Sequence, residues 1–110
     1  MKAAVVGSRS LFVDNIGKYI PGEVTEIISG GAKGIDECAE DFALKNGIKF
    51  TLYLPEFKRY GKAAPLKRNV SIIKDADIVI ALWDGKSKGT ENAISIAEKL
   101  KKPLKIYIIK

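Results

Sequence analysis

At 110 residues the chain has the length of one domain, residues 1–110, and is too short for two independent cores. Apolar residues make up 46% of it and charged residues 29%, the balance of a soluble globular protein, and no apolar stretch approaches the ~20 residues a membrane span needs. Histidine is absent, which removes Ser-His-Asp and Cys-His triads and the ordinary zinc sites, while a formal charge of +6 favours anionic partners.

The first predicted strand is Lys2–Val6; its apolar run breaks at Gly7, too short for a secretory signal, so the expected location is cytoplasmic with no membrane partner. Leu11–Ile20 reads as a weak helix stopped by Pro21-Gly22, and Val24–Ser29 as the second strand. Ile35, Ala39, Phe42 and Ala43 then make one apolar helical stripe, closed by Asn46-Gly47. The single cysteine, Cys38, cannot form an internal disulfide and reads as a small buried residue of that helix. Ile48–Leu54 is the third strand, with Ile48, Phe50, Leu52 and Leu54 alternating against Lys49, Thr51 and Tyr53. Pro65 suits the first turn of a helix carrying Leu66, Val70 and Ile73. Asp77–Trp83 is a fourth strand, nearly all apolar, and Ala93, Ile96, Ala97 and Leu100 stripe a last helix ended by Pro103. Leu104–Ile109 closes the chain as a fifth, alternating strand.

Strand–helix alternation along the whole chain predicts an α/β fold with a parallel sheet. Val5-Val6 and Ile78–Trp83 are continuous apolar runs, as expected of central strands covered on both faces. The third and fifth strands each show one polar face, which places them at the edges. With right-handed crossovers the order is 3-2-1-4-5, a Rossmann-like three-layer α/β/α architecture. The chain then reverses direction between the first and fourth strands, and a ligand crevice is expected outside the strands' carboxyl ends there.

The segments at those ends are distinctive. Gly7-Ser8-Arg9-Ser10 follows the first strand. Ser29-Gly30-Gly31-Ala32-Lys33-Gly34-Ile35-Asp36 follows the second, and Asp84-Gly85-Lys86-Ser87-Lys88-Gly89-Thr90-Glu91 follows the fourth, each running into a helix. Glycine lets the backbone approach a ligand closely, and a helix start offers unpaired N–H groups and partial positive charge to phosphate. Arg9, Lys33, Lys86 and Lys88 surround the same mouth, and Lys58, Arg59, Tyr60, Lys62 and Lys67-Arg68-Asn69 add to its rim. Two phosphate-gripping junctions on neighbouring central strands are the expectation. Bland readings stand beside it: Asp36 near a helix start stabilises that start without any ligand, Thr90 reads equally as an N-cap, Trp83 as core and Tyr60 as a loop anchor. Lys99, Lys101, Lys102, Lys105 and Lys110 read as a solvated face. Neither a Walker A loop nor Gly-x-Gly-x-x-Gly is present.

Gly7-Ser8-Arg9, the run Ser29 to Asp36, Arg68-Asn69, and Trp83-Asp84-Gly85-x-Ser87-x-Gly89-Thr90 resemble the SLOG superfamily over roughly residues 3–100. That group holds the DprA/Smf DNA-processing proteins, the LOG cytokinin-activating enzymes and small stand-alone relatives of the YspA kind, which the last run resembles most. The resemblance implies a Rossmann-like fold and a pocket for a nucleotide or nucleotide-derived ligand, and it implies pairing into a homodimer. LOG enzymes carry a glutamate three positions beyond the threonine, where this chain has Ala93; Glu91 lies two positions earlier on the helix, about 200° away. DprA proteins carry Arg-Asn-Arg where this chain has Arg68-Asn69-Val70.

Three functions compete. The first is binding or sensing of a phosphate-bearing nucleotide-like molecule, with Arg9, Lys33 and Lys88 neutralising phosphate and Asp84 or Asp36 accepting from ribose hydroxyls. The second is hydrolysis of the N-glycosidic bond of a nucleoside 5′-monophosphate, with Asp84 or Glu91 as the carboxylate on offer. The third is single-stranded DNA binding, for which Tyr60 and Phe57 among basic residues make a thin stacking platform.

Overall fold

A computed structural model describes residues 1–31 and 33–109 of the chain. Five strands, β1 (Lys2–Gly7), β2 (Glu26–Ser29), β3 (Lys49–Leu52), β4 (Ile78–Trp83) and β5 (Leu104–Ile108), form one all-parallel sheet in the order β3-β2-β1-β4-β5. Between them lie α1 (Ile35–Lys45), the short α2 (Phe57–Tyr60), α3 (Ala64–Asp75) and α4 (Lys88–Lys99). The sheet order is the one that the apolar runs and right-handed crossovers predict.

The core divides into two layers because successive strand residues point to opposite faces. Ala3, Val5, Ile27 and Ile80 pack with Ile35 and Ala39 of α1; Ala4, Ile28 and Val79 pack with Ile72 and Ile73 of α3 and Ala93 and Ala97 of α4. Alanines at the helix contacts let the helices sit close on the sheet, and each fully buried isoleucine contributes roughly 1.5–3 kcal/mol. Because every strand runs the same way, the loops after β1, β2 and β4 all emerge at one edge. The two glycine-rich junctions are not on neighbouring strands, however: β1 lies between β2 and β4, so the junctions flank the Gly7–Ser10 loop. Among the described residues, no helix is long and apolar enough to cross a membrane.

Several expectations are corrected. Leu11–Ile20 is not a helix but a loop ending in a 3-10 turn, Ile16–Tyr19. Asn15 and Gly17 are poor helix formers, and Gly17 packs so tightly on Phe42 that a Cβ there would lie 2.6 Å from its ring. Cys38 is half-buried rather than buried, packed at the margin of the α1 layer. Lys102 is not a solvated side chain: its Nζ donates to the carbonyls of Lys74 (3.1 Å) and Ala76 (2.8 Å), at the carboxyl end of α3 where a cation is favoured. Lys110 lies outside the described residues.

The edge strands also differ from their pattern. Tyr53 and Tyr107 pack against the core, whereas Leu52, Leu54, Ile106 and Ile108 are exposed. An edge strand is covered over only part of each face, and tyrosine can bury its ring while its hydroxyl finds a partner. The Tyr53 hydroxyl donates to Asp75 Oδ2 at 2.5 Å, tying the end of β3 to the end of α3. That bond, then burial, pushes the Tyr53 pKa up to about 12. The unfolded chain ionises its tyrosine near pH 10, so the stability from this group is complete below about pH 10 and is lost as pH rises towards 12. Tyr53→Phe is expected to cost about 1 kcal/mol at neutral pH, the site being largely open to solvent. It should also flatten the alkaline limb of a melting temperature against pH curve.

Candidate functional site

The site is assembled from the three loops at the carboxyl edge. Gly7 ends β1 where Ile35 of α1 packs so closely that a Cβ on Gly7 would lie 2.4 Å from the Ile35 Cβ. Ser8 is buried; its N–H donates to the Leu82 carbonyl (3.2 Å) and its Oγ accepts from the Asp84 N–H (3.1 Å). Gly34, with φ +78°, rests on the carbonyls of Ser8 and Arg9. The α1 start is thereby pressed onto the β1 loop.

Asp84 organises the other side. Its Oδ1 accepts from the N–H groups of Lys86 and Ser87, each at 2.8 Å, and its Oδ2 accepts from Ser10 Oγ at 3.3 Å. These donors, the Lys86 and Ser87 amides foremost, hold the carboxyl below its ordinary value. Trp83 Nε1 donates to the Ser87 carbonyl (3.0 Å), so Trp83 anchors this loop as well as filling space. Gly85 makes the exposed turn between them with φ +82°. A depressed carboxyl supplies stability that is complete above its unfolded value and drains as pH falls through the folded one. Asp84→Asn is therefore expected to lower the melting temperature at pH 7 and to leave a shallower acid limb below pH ~4.

The loop delivers the start of α4. Ser87 is the N-cap, no side chain caps the helix, and the Ser87 and Thr90 hydroxyls meet at 3.2 Å. Thr90 is therefore not the cap but sits three residues into the turn, buried. The first amides of such a helix lack intrahelical acceptors and carry its positive end. Both helix starts carry acidic residues: α1 has Asp36 and Glu37 in its first turn, with Asp36 buried, and α4 has Glu91 there, exposed to solvent.

Arg68 of α3 spans the remaining gap. Its Nη1 donates to the Gly30 carbonyl (3.1 Å) and its Nε to Asn69 Oδ1 (3.0 Å), while Asn69 Nδ2 donates to Asn92 Oδ1 (3.1 Å) of α4. Burial lowers the Arg68 pKa, the Asp36 charge opposes that shift, and the nearby Arg9 charge adds to it. Arg9, Asp36 and Arg68 thus share one electrostatic environment.

A cavity of about 470 Å³ opens between these parts. Gly7, Arg9, Gly30, Asp36, Arg68, Asn69, Ser87, Gly89 and Thr90 line it. Ser8, Gly34, Asp84 and Gly85 build its loops without lining it. Ser29 is fully buried, its Oγ without a hydrogen-bond partner among the described residues, and Gly31 and Lys33 are exposed; none of the three lines the cavity. Ala32 lies outside the described residues. Lys86 and Lys88 are exposed at the rim, so Arg9 and Arg68 are the cations of the wall. Of the carboxylates, Asp36 lines the cavity and is 7% exposed, whereas Asp84 and Glu91 do not line it; Ala93 presents its methyl to the same space.

Sequence reasoning missed the apolar part of the wall, Val6, Pro65, Leu66 and Ile72. Leu66 carried a signal, as the one apolar residue of the α3 stripe within a basic stretch. Among the described residues no group of three or more His, Cys, Asp or Glu side chains could hold a metal ion.

Fold and site together define a Rossmann-like α/β protein with a cavity of polar groups and a larger apolar wall at the carboxyl edge of its sheet. No family model matches the chain, and no curated protein or solved structure matches it.

Proposed function

We propose that this protein binds or senses a nucleotide or nucleotide-derived molecule through its phosphate, in the cavity at the carboxyl edge of the sheet. The observation that carries this reading is the convergence of the uncapped α4 start with Arg9 and Arg68 on one cavity. Phosphate sits at the α4 amides, where helix-end charge and two guanidinium groups add their small separate contributions. Asp36 disfavours a second anion at α1 and is placed to accept from hydroxyl or amino groups. The wall of Val6, Pro65, Leu66 and Ile72 suits a flat base. The resemblance to SLOG proteins, which rests on the motif residues alone, points the same way.

The test is thermal stability of the full chain with a panel beginning with adenosine 5′-monophosphate. A ligand at 100 times its Kd stabilises by ~2.7 kcal/mol, roughly 10 °C for a domain of this size. Arg9→Ala should weaken the response and Thr90→Val should follow. A flat profile with every nucleotide and sugar phosphate would sink the reading.

One observation favours a hydrolytic variant: the buried carboxylate of the cavity is Asp36, so N-glycosidic cleavage of a nucleoside monophosphate would use it rather than Asp84 or Glu91. Release of free base, abolished in Asp36→Asn with binding retained, distinguishes this from binding alone.

A further inference from the structure

A second cavity, of about 510 Å³, is lined by the end of β3, by α2 and by α3. Among the described residues Arg68 is the one that lines both cavities, so it stands between them. The second cavity gathers Arg59, Lys67 and Arg68 around Tyr60: the Arg59 guanidinium carbon lies 5.1 Å and Lys67 Nζ 5.8 Å from the centroid of the Tyr60 ring. Contacts of this kind hold the cations in place without neutralising them.

The carboxylates present do not balance that charge. Glu56 meets Arg59 only at 3.8 Å, with both side chains more than 60% exposed, and such a pair contributes little. Asp75 lines the cavity too, and the Tyr53 hydroxyl that donates to it leaves its charge in place. Arg68 commits two of its five N–H groups to described acceptors, Gly30 and Asn69. Of the charged side chains that line this concave space, three are cations and two, Glu56 and Asp75, are carboxylates, and the positive charge left over attracts a further anion.

The geometry points to a second anion subsite in this cavity, so that the ligand carries two separated phosphate groups: one at the α4 start, the other between Arg59 and Lys67, with Arg68 between them. The ligand class is a bisphosphorylated nucleoside rather than a monophosphate. The inference rests on the proposed phosphate site only for the first of the two groups.

Calorimetric titration of the full chain with adenosine 5′-monophosphate and with adenosine 3′,5′-bisphosphate tests it, using wild type and the Arg59→Gln/Lys67→Gln double variant. Both replaced side chains are exposed and neither lines the first cavity, so the variant should fold and keep its monophosphate affinity. Wild type is expected to prefer the bisphosphate by roughly tenfold, and the double variant to lose that preference. Amide resonances of Tyr60 and Ser71 should shift with the bisphosphate and stay still with the monophosphate. Equal affinity for the two probes in wild type, or a preference that survives in the double variant, overturns the inference and leaves the first site standing. If the monophosphate fails to bind while the bisphosphate remains sensitive to the double variant, the first-cavity reading falls and the second subsite holds.

Discussion

Gly34→Ala is expected to destabilise the protein by roughly 3–5 kcal/mol, a large share of a typical domain's stability. Two penalties add at this position. The backbone lies at φ +78° and ψ −122°, a region that side-chain-bearing residues enter at a cost of about 1–3 kcal/mol. An added Cβ would also stand 2.5 Å from the Arg9 carbonyl oxygen and 2.6 Å from that of Ser8, so backbone must move, at a further cost of about 1–3 kcal/mol. Gly47→Ala is the control. Its φ is +65°, but a Cβ there meets nothing within 4 Å, so a loss of about 1 kcal/mol is expected. Urea unfolding of both variants reads the difference. Equal losses would mean that α1 is not pressed onto the β1 loop, and the description of the site's frame would be wrong.

Arg68→Met is the second large effect, and it acts on stability and on binding at once. The substitution keeps much of the side chain's apolar length but removes the bonds to Gly30 and Asn69 and the positive charge that faces Asp36. A buried carboxylate deprived of a nearby cation is costly, and for this half-buried arginine a loss of about 2–3 kcal/mol is expected. Adding Asp36→Asn should restore part of it, because the second change removes the charge that the first left unbalanced. Binding should behave otherwise. Nucleotide affinity is expected to fall roughly 100-fold in Arg68→Met and to stay low in the double variant. Full additivity of the two stability losses would show that Arg68 and Asp36 do not interact.

How far the site was legible follows from what each residue depends on. Gly7, Gly30, Gly89 and Thr90 were readable because turn chemistry and helix starts are local, and a parallel sheet brings all such junctions to one edge. The division of labour between the two helix starts was not readable. Both junctions look alike as strings of glycine and lysine, yet Asp36 is buried in the cavity while Lys33, Lys86 and Lys88 point away into solvent. Whether a long cation reaches a site depends on the rotation of its element, and exposed lysines have several choices. Asp84 shows the same limit from the other direction. Its type and place suggested a reacting carboxylate, but its oxygens are taken by the Lys86 and Ser87 amides and by Ser10, across a distance of 74 residues in the chain.

The sequence by itself determined the α/β class, the parallel sheet and its order, because apolar runs report burial on both faces and alternation reports an edge, and both are properties of a segment taken alone. It also determined which end of the sheet would carry the glycine-rich junctions. Only the tertiary structure decided that Leu11–Ile20 winds into a single turn instead of a helix. It alone gave Arg68 two cavities to line. Those outcomes depend on which surfaces meet, and contact between distant segments leaves no periodic trace in either of them.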